Sequence, residues 1–300
     1  MRKYTIVTVV FEGDVELMLL QARSMRLYCD PGSFEEIIVV NNFSNEEAKP
    51  KRWHERLAEE YGTLFSKVRI IEATTVADTH GHKGWWSQQV LKLAIANLVK
   101  TDRYLILDAK NHLVKSLTRE FLEAPDGRVK INGYGYDSHP LRHFLESTCA
   151  YVGIDPAGPL RKFVRTSTPF TMVTSAAKAM VKNIECMENA DLADVMTKHG
   201  LTEFFLYAAT LEKAGVLHEL YDWSQLFSPD IWAWGAEDMN IIREAIEKTT
   251  RDSAGPFFGL HRGAVHKFAP DARYAISDFW VSRGLFSDRE AAFDFLSNMR

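Results

Sequence analysis

Residues 4–11 read YTIVTVVF, a continuous run of apolar and β-branched side chains that decides the fold class. Runs of this kind are typical of strands covered on both faces, as in a parallel sheet. A helical pattern of apolar residues follows from Val15 to Met25, and Asp14 is placed to cap its first turn. We therefore predict a buried strand that leads directly into a helix.

The same alternation continues along the chain. Further strands are predicted at 36–42, 68–73 and 104–108, separated by helices at 46–61 and 85–100. Strands that alternate with helices in this way indicate βαβ units. The prediction is an α/β fold of Rossmann-like type, with a mixed, mainly parallel sheet flanked by helices. Later elements are predicted as strands at 129–132 and 170–173 and as helices at 143–152, 176–187 and 202–214.

Composition excludes several classes of protein. The net charge of −4 and the lack of a basic run argue against a nucleic-acid partner. Cys29, Cys149 and Cys186 are far apart and show no paired spacing, which disfavours a disulfide framework or a zinc site. No signal-peptide pattern and no run of about 20 apolar residues is found. We expect a cytoplasmic protein with no membrane span.

Ligands of parallel sheets collect beyond the carboxyl ends of the strands. Asp108 is the last residue of a predicted buried strand, in the sequence LDAKN at 107–111. Its carboxylate is therefore placed to meet a ligand, although a strand-terminal Asp also commonly caps the turn that follows.

The helix before this strand opens with GWWSQQVLK at 84–92. Trp85, Gln89 and Lys92 are spaced by four and three residues, so they share one helix face. Such a face can present donors to a phosphate or a sugar, helped by the helix N-terminus. The alternative is a surface helix whose Trp packs under a loop. Residues 80–83, His-Gly-His-Lys, precede the helix and are placed to close over a bound ligand.

Four segments together resemble a known family. Residues 84–92, 104–114, 168–170 and 202–207 occur in this order in a bacterial group described as glycosyltransferase-like and otherwise of unknown function. The resemblance spans about residues 4–290. It implies a glycosyltransferase A fold, a nucleotide-sugar donor, and a glycan or lipid-linked hydroxyl acceptor in surface-polysaccharide or glycan assembly. Separately, the Pro/Gly-rich stretch 153–159 is the best candidate for a subdomain border. We therefore expect one domain over 1–300, with a nucleotide-binding half at about 1–152 and an acceptor half at about 153–300.

In transferases of this fold an Asp-x-Asp pair holds Mn²⁺ or Mg²⁺ against the donor diphosphate. By resemblance Asp108 occupies the first position, whereas Lys110 replaces the second Asp. Three outcomes stay open. The Lys110 ammonium neutralises the diphosphate directly, Asn111 completes a weaker metal site with Asp108, or the substitution abolishes transfer.

The resemblance implies roles for later residues as well. Glu203 falls on the acceptor side, where it would act as general base, although it also suits an ordinary helix start. His261 resembles a late His that completes the metal shell, with Arg262 or Lys267 as phosphate partners. Four tryptophans either line a carbohydrate cleft or belong to the core: Trp223, Trp232, Trp234 and Trp280.

Two other functions remain open. One is a non-catalytic relative that binds a nucleotide or a glycan without turnover. The other is a nucleotidyltransferase, which would need a Gly/Arg-rich triphosphate loop after the first strand. The sequence there is FEGD at 11–14, which is acidic, so this alternative ranks lower.

Overall fold

The structure, a computed structural model, describes residues 4–82, 84–251 and 253–299. The strands are β1 Tyr4–Val10, β2 Phe34–Asn41, β3 Val68–Glu72, β4 Arg103–Asp108, β5 Asn111–Leu113, β6 Val129–Lys130, β7 Gly133–Tyr134, β8 Phe163–Val164, β9 Phe170–Val173, β10 Tyr221–Asp222, β11 Asp230–Ile231 and β12 Phe257–Leu260. The helices are α1 Val15–Tyr28, α2 Trp53–Tyr61, α3 Ala73–Val76, α4 Trp85–Ala94, α5 Arg119–Leu122, α6 Arg142–Val152, α7 Ala157–Arg161, α8 Thr174–Glu188, α9 Leu192–His199, α10 Glu203–Lys213, α11 Leu217–Leu220, α12 Met239–Thr250, α13 Arg262–Val265, α14 Pro270–Ser282 and α15 Arg289–Asn298. Short 3₁₀ helices lie at Glu12–Asp14, Glu46–Ala48, Gly62–Lys67 and Ile95–Asn97.

The central sheet has the strand order β3-β2-β1-β4-β9. Its first four strands are parallel, and β9 runs antiparallel to β4. The predicted mixed, mainly parallel sheet is therefore confirmed. Because Val9 of β1 lies opposite Asp108 of β4, the carboxyl ends of these two strands meet at one edge of the sheet.

The side chains of β1 alternate between two hydrophobic cores. Ile6 and Val10 pack in a core that includes α1, α2 and α14, whereas Val7 and Val9 pack in a core that includes α4, α8 and α10. Every residue of β1 is buried. Burial of each Val or Ile side chain stabilises the fold by about 1.5–3 kcal/mol. The continuous apolar run is therefore explained by a strand that has helices on both faces.

Four sequence-based expectations differ from the structure. The helix predicted over 46–61 is a 3₁₀ turn at Glu46–Ala48 followed by α2, which begins at Trp53. The strand predicted at 129–132 is the two-residue β6, which pairs with β10 outside the central sheet. The reason is that β9 occupies the position next to β4. Asp14 makes no side-chain capping bond to α1, because its carboxylate faces Arg262 instead, 3.8 Å away. The helix predicted over 85–100 ends at Ala94 and continues as a 3₁₀ turn.

Gln21 of α1 fixes the turn at the end of β4. Its Oε1 accepts a 2.7 Å hydrogen bond from the Thr8 hydroxyl. Its Nε2 donates bonds of 2.8 Å to the carbonyl oxygens of Asp108 and Asn111. Gln21 is fully buried, so water cannot replace these bonds.

Replacement of Gln21 by Met keeps the side chain similar in size and removes all three bonds. Buried polar groups that lose their partners cost about 1–3 kcal/mol each, with partial relief by rearrangement. We expect the Gln21→Met variant to lose about 3 kcal/mol of unfolding free energy, measured by urea denaturation. A loss under about 1 kcal/mol would show that the turn holds its shape without Gln21.

Candidate functional site

The site lies beyond the carboxyl ends of β1 and β4, where Asp108 marks the end of its strand. The Asp108 backbone N–H donates to Asn111 Oδ1 at 3.0 Å. The Thr168 hydroxyl lies 2.8 Å from Asp108 Oδ2 and 2.5 Å from Asn111 Oδ1. The Asp108 side chain keeps 26% of its surface exposed, whereas Asn111 is fully buried. Asn111 therefore holds the backbone of Asp108 from the buried side of the site.

Lys92 of α4 reaches into the site from the preceding helix. Its Nζ lies 2.7 Å from Asp108 Oδ1 and 3.2 Å from Glu203 Oε1, and its side chain is only 5% exposed. Burial lowers the pKa of Lys92, but Asp108 and Glu203 outweigh burial and raise it above its usual value. Lys92 therefore carries a full positive charge between two carboxyl groups.

The two carboxyl groups have opposite pKa shifts. Burial raises the pKa of Asp108, but Lys92 and Lys110 overcome this and hold it well below its usual range. Burial also raises the pKa of Glu203; Lys92 opposes the rise and the charge of Asp108 adds to it, so that the net shift is upward. The environment thus separates a carboxyl group whose pKa is lowered, Asp108, from one whose pKa is raised, Glu203.

Glu203 lies at the first position of α10 and is buried beside the α4 face. Its second carboxylate oxygen contacts the Gln89 side-chain amide. Trp85, one turn earlier, is 44% exposed and packs its ring 5.5 Å from that of Phe144. The face formed by Trp85, Gln89 and Lys92 thus runs from an aromatic rim down to the charged floor of the site.

Lys110 occupies the position of the second Asp and is held by two carboxylates. Its Nζ lies 3.5 Å from Asp108 Oδ2 and 3.6 Å from Asp230 Oδ1, and its side chain is 7% exposed. Arg165 holds the other oxygen of Asp230 at 2.5 Å. The Lys110 ammonium also lies 5.2 Å from the centroid of the Trp232 ring. Lys110 is therefore fixed in place.

Sequence reasoning missed three members of this network, Arg165, Asp230 and the Thr168 hydroxyl. Arg165 and Asp230 lie on loops or short strands, and no spacing relates them to Lys110. Thr168 could have been found, because it lies in segment 168–170, one of the four segments on which the family resemblance rests. With Lys92, Lys110 and Arg165 facing Asp108, Glu203 and Asp230, three cations balance three carboxyl groups.

His261 and Arg262 form the opposite rim. His261 Nδ1 accepts a 3.1 Å hydrogen bond from the Gly263 backbone N–H, so the proton of the neutral ring resides on Nε2. Burial, Lys110 and Arg262 all lower the pKa of His261, which keeps the ring neutral. Arg262 lies over the Phe11 ring at 5.6 Å, and a Cβ at Gly13 would collide with its guanidinium.

These groups enclose one cavity of about 290 Å³. Its lining includes most of the residues predicted from the sequence: Trp85, Gln89, Lys92, Asp108, Lys110, Glu203, His261 and Arg262. Two predicted residues lie elsewhere. Asn111 is buried behind Asp108, and Lys267 is exposed beyond α13, outside the cavity lining.

The tryptophans have separate locations. Trp232 lines the cavity and stacks on His261 at 5.1 Å. Trp280 is fully buried in the core and donates to His112 Nε2 at 2.9 Å. Trp234 is exposed, and Trp223 lines a separate groove.

The loop before α4 rests on α9. His80 Nε2 lies 3.2 Å from Asp191 Oδ2, and His82 Nε2 lies 3.4 Å from the Thr197 hydroxyl. Gly84 lines the cavity, whereas Lys83 lies outside the described residues. Among the residues that are described, no helix combines the length and apolar character of a membrane span.

The sheet topology and the position of the cavity define an α/β fold of the glycosyltransferase A-like type. The chain belongs to the family of unknown function DUF6492, whose model matches residues 7–253. This membership confirms the predicted resemblance to a glycosyltransferase-like family of unknown function.

Similarities to solved structures were found, and the first of the following three supports the fold. An active-site mutant of LgtC is similar with a TM-score of 0.53 and 10% identity, over 93% of this chain and 95% of that chain. LgtC in complex with donor and acceptor sugar analogues is similar with a TM-score of 0.49 and 9% sequence identity, over 98% of this chain and 95% of that chain. The apo form of WbbM, described as a bifunctional glycosyltransferase, has a TM-score of 0.49 and 11% sequence identity. The similarity covers 86% of this chain but only 45% of the WbbM chain. A search of curated proteins found no match.

The Lys92 ion pairs should also stabilise the fold. Lys92→Met leaves two buried carboxyl groups without their shared cation, and breaking a buried pair costs about 3–5 kcal/mol. We expect a loss of this size in denaturant unfolding at neutral pH. The double variant Lys92→Met/Glu203→Gln should recover part of it, because one carboxyl group is then neutral. Equal losses in the single and double variants would contradict the coupling.

Proposed function

We propose that the protein transfers a glycosyl group from a nucleotide-sugar to a hydroxyl acceptor. The observation that supports this most directly is the Lys92 ammonium between an ionised Asp108 and a Glu203 of raised pKa, on the floor of a cavity at the strand ends. Such a site combines fixed positive charge for a departing diphosphate with a carboxyl group that can receive a proton.

The donor diphosphate would lie toward Lys110 and Arg262, which line one side of the cavity. The donor sugar would lie over the α4 face, where Trp85 offers an apolar ring and Gln89 and Lys92 offer hydrogen-bond donors. Asp108 holds both lysines in position and is available to orient a sugar hydroxyl. Aromatic rings with polar neighbours suit the mixed character of a sugar.

The reaction follows from these positions. The acceptor oxygen bonds to the anomeric carbon, while the bond from that carbon to the diphosphate oxygen breaks and its electron pair leaves with the nucleoside diphosphate. The acceptor proton passes to Glu203. We further propose, from the family resemblance, a bacterial cytoplasmic role in surface-polysaccharide or glycan assembly, with a glycan or lipid-linked acceptor.

Two alternatives remain in view. A non-catalytic nucleotide- or glycan-binding relative would bind the same ligands without turnover. A nucleotidyltransferase ranks lower, because Phe11 and Asp14 line the cavity after β1 in place of a Gly/Arg-rich phosphate loop.

A binding and turnover experiment tests the proposal. We expect at least one of ADP, CDP, GDP, TDP and UDP to bind in calorimetry, and the matching nucleotide-sugar to release its diphosphate slowly to water. Binding without release in the presence of varied sugar acceptors would favour the non-catalytic alternative. If none of the five binds, with or without Mn²⁺, the proposed transfer is wrong.

The pH dependence of transfer should report Glu203. A base is active when deprotonated, so the rate should rise with pH through the raised pKa of Glu203 and level off above it. Glu203→Gln should lower the rate by about 10²–10⁴-fold and remove this acid limb. Glu212→Gln, on the exposed side of the same helix, serves as the control. An unchanged acid limb in Glu203→Gln would assign the proton transfer to another group.

A further inference from the structure

The two residues expected to bind a metal ion make contacts within the protein that oppose metal binding. Asp108 faces an ammonium on each oxygen, Lys92 at 2.7 Å and Lys110 at 3.5 Å. His261 uses Nδ1 to accept from Gly263 and therefore carries its proton on Nε2. A cation bound to Asp108 would therefore meet two ammonium groups, and the Nε2 of His261 carries a proton in place of the lone pair that a metal ion needs.

The surrounding residues do not complete a metal shell either. Mg²⁺ requires near-octahedral oxygen coordination, usually through one or two carboxylates, and Mn²⁺ favours similar ligands. Asp230, the next carboxylate, is already paired with Lys110 and Arg165. Within residues 4–82, 84–251 and 253–299, no group of three or more His, Cys, Asp or Glu side chains is arranged to hold an ion. The site does not fit a divalent cation.

What the site holds instead is a set of cationic and neutral hydrogen-bond donors that are fixed in place. The Lys110 ammonium is anchored from two sides by Asp108 and Asp230, and Arg165 anchors Asp230 in turn. Arg262 adds a half-exposed guanidinium on the rim. The Nε2–H of the neutral His261 ring is a further hydrogen-bond donor. Donors fixed in this way need no rearrangement when a dianion arrives.

We infer that the protein binds the diphosphate of its donor without a divalent cation, using Lys110 in the place of the metal with Arg262 and His261 as further donors. This inference rests on the proposed function and specifies the chemistry of its donor site. It assigns Lys110 a binding role and makes Asp230 and Arg165 positioning residues for that lysine.

Calorimetry with inorganic pyrophosphate and with the five nucleoside diphosphates tests the inference. Each ligand is titrated into the full chain in excess EDTA and again with Mn²⁺, and Mn²⁺ alone is titrated in a third experiment. We expect the dissociation constant of the tightest ligand to change by less than about fivefold between EDTA and Mn²⁺. We also expect Mn²⁺ alone to give no saturable binding. Tightening by more than fivefold in Mn²⁺, or saturable binding of Mn²⁺ alone, overturns the inference while the proposed function stands.

Variants identify the cation responsible. Lys110→Met should weaken diphosphate binding in EDTA by roughly 10- to 100-fold, as expected for loss of a charge-assisted hydrogen bond. Lys110→Arg should retain most of the binding, and Lys182→Met, an exposed lysine of α8, should match the parent chain. Asp230→Asn should weaken binding less than Lys110→Met, because the ammonium is displaced but not removed.

The variants should remain folded, because Asp108 keeps Lys92 and Asp230 keeps Arg165 when Lys110 is lost. A thermal melt verifies this for each variant. Unchanged binding in Lys110→Met overturns the inference. If none of the ligands binds the parent chain in EDTA or in Mn²⁺, the proposed function fails and the inference fails with it.

Discussion

The ammonium of Lys92 connects a strand of the central sheet to a covering helix, because it lies between carboxyl groups that belong to these two elements. Asp108 ends a strand of the central sheet, and Glu203 begins a helix more than 90 residues later. An ionised carboxylate taken out of water without a partner costs several kcal/mol. One lysine on α4 offsets that cost for Asp108 and partly for Glu203, and so couples the sheet edge to the helices that cover it.

The same lysine sets the chemical difference between the two carboxyl groups. Asp108 has a second ammonium nearby and stays ionised, whereas Glu203 is more deeply enclosed and shares Lys92 with an existing anion. The pKa of Glu203 is therefore raised, first by burial and then by the charge of Asp108, against the opposing effect of Lys92. Asp108 is further fixed by Gln21, Asn111 and Thr168, which act on its main chain or side chain.

The strands and the α4 face could be predicted because their signals are local. The apolar run YTIVTVVF indicates from its own composition a strand covered on both faces, and residues 4–10 form it. The shared face of Trp85, Gln89 and Lys92 follows from helix geometry alone. The pairing of Lys110 with Asp230 could not be predicted, because these residues are 120 positions apart and no periodicity encodes a tertiary ion pair. Asn111 and Lys267 have residue types suited to phosphate or metal. Turn geometry directs Asn111 inward, and the short helix α13 carries Lys267 to the surface.

The antiparallel strand β9 has a consequence for how the protein is made. It brings Thr168 beside Asp108. The cavity as a whole is lined by segments from Val9 through to Arg262. Contacts between residues so distant in sequence form late, since the intervening chain must be ordered first. A nascent chain on the ribosome therefore has no complete cavity until residues up to Arg262 have been synthesised and folded.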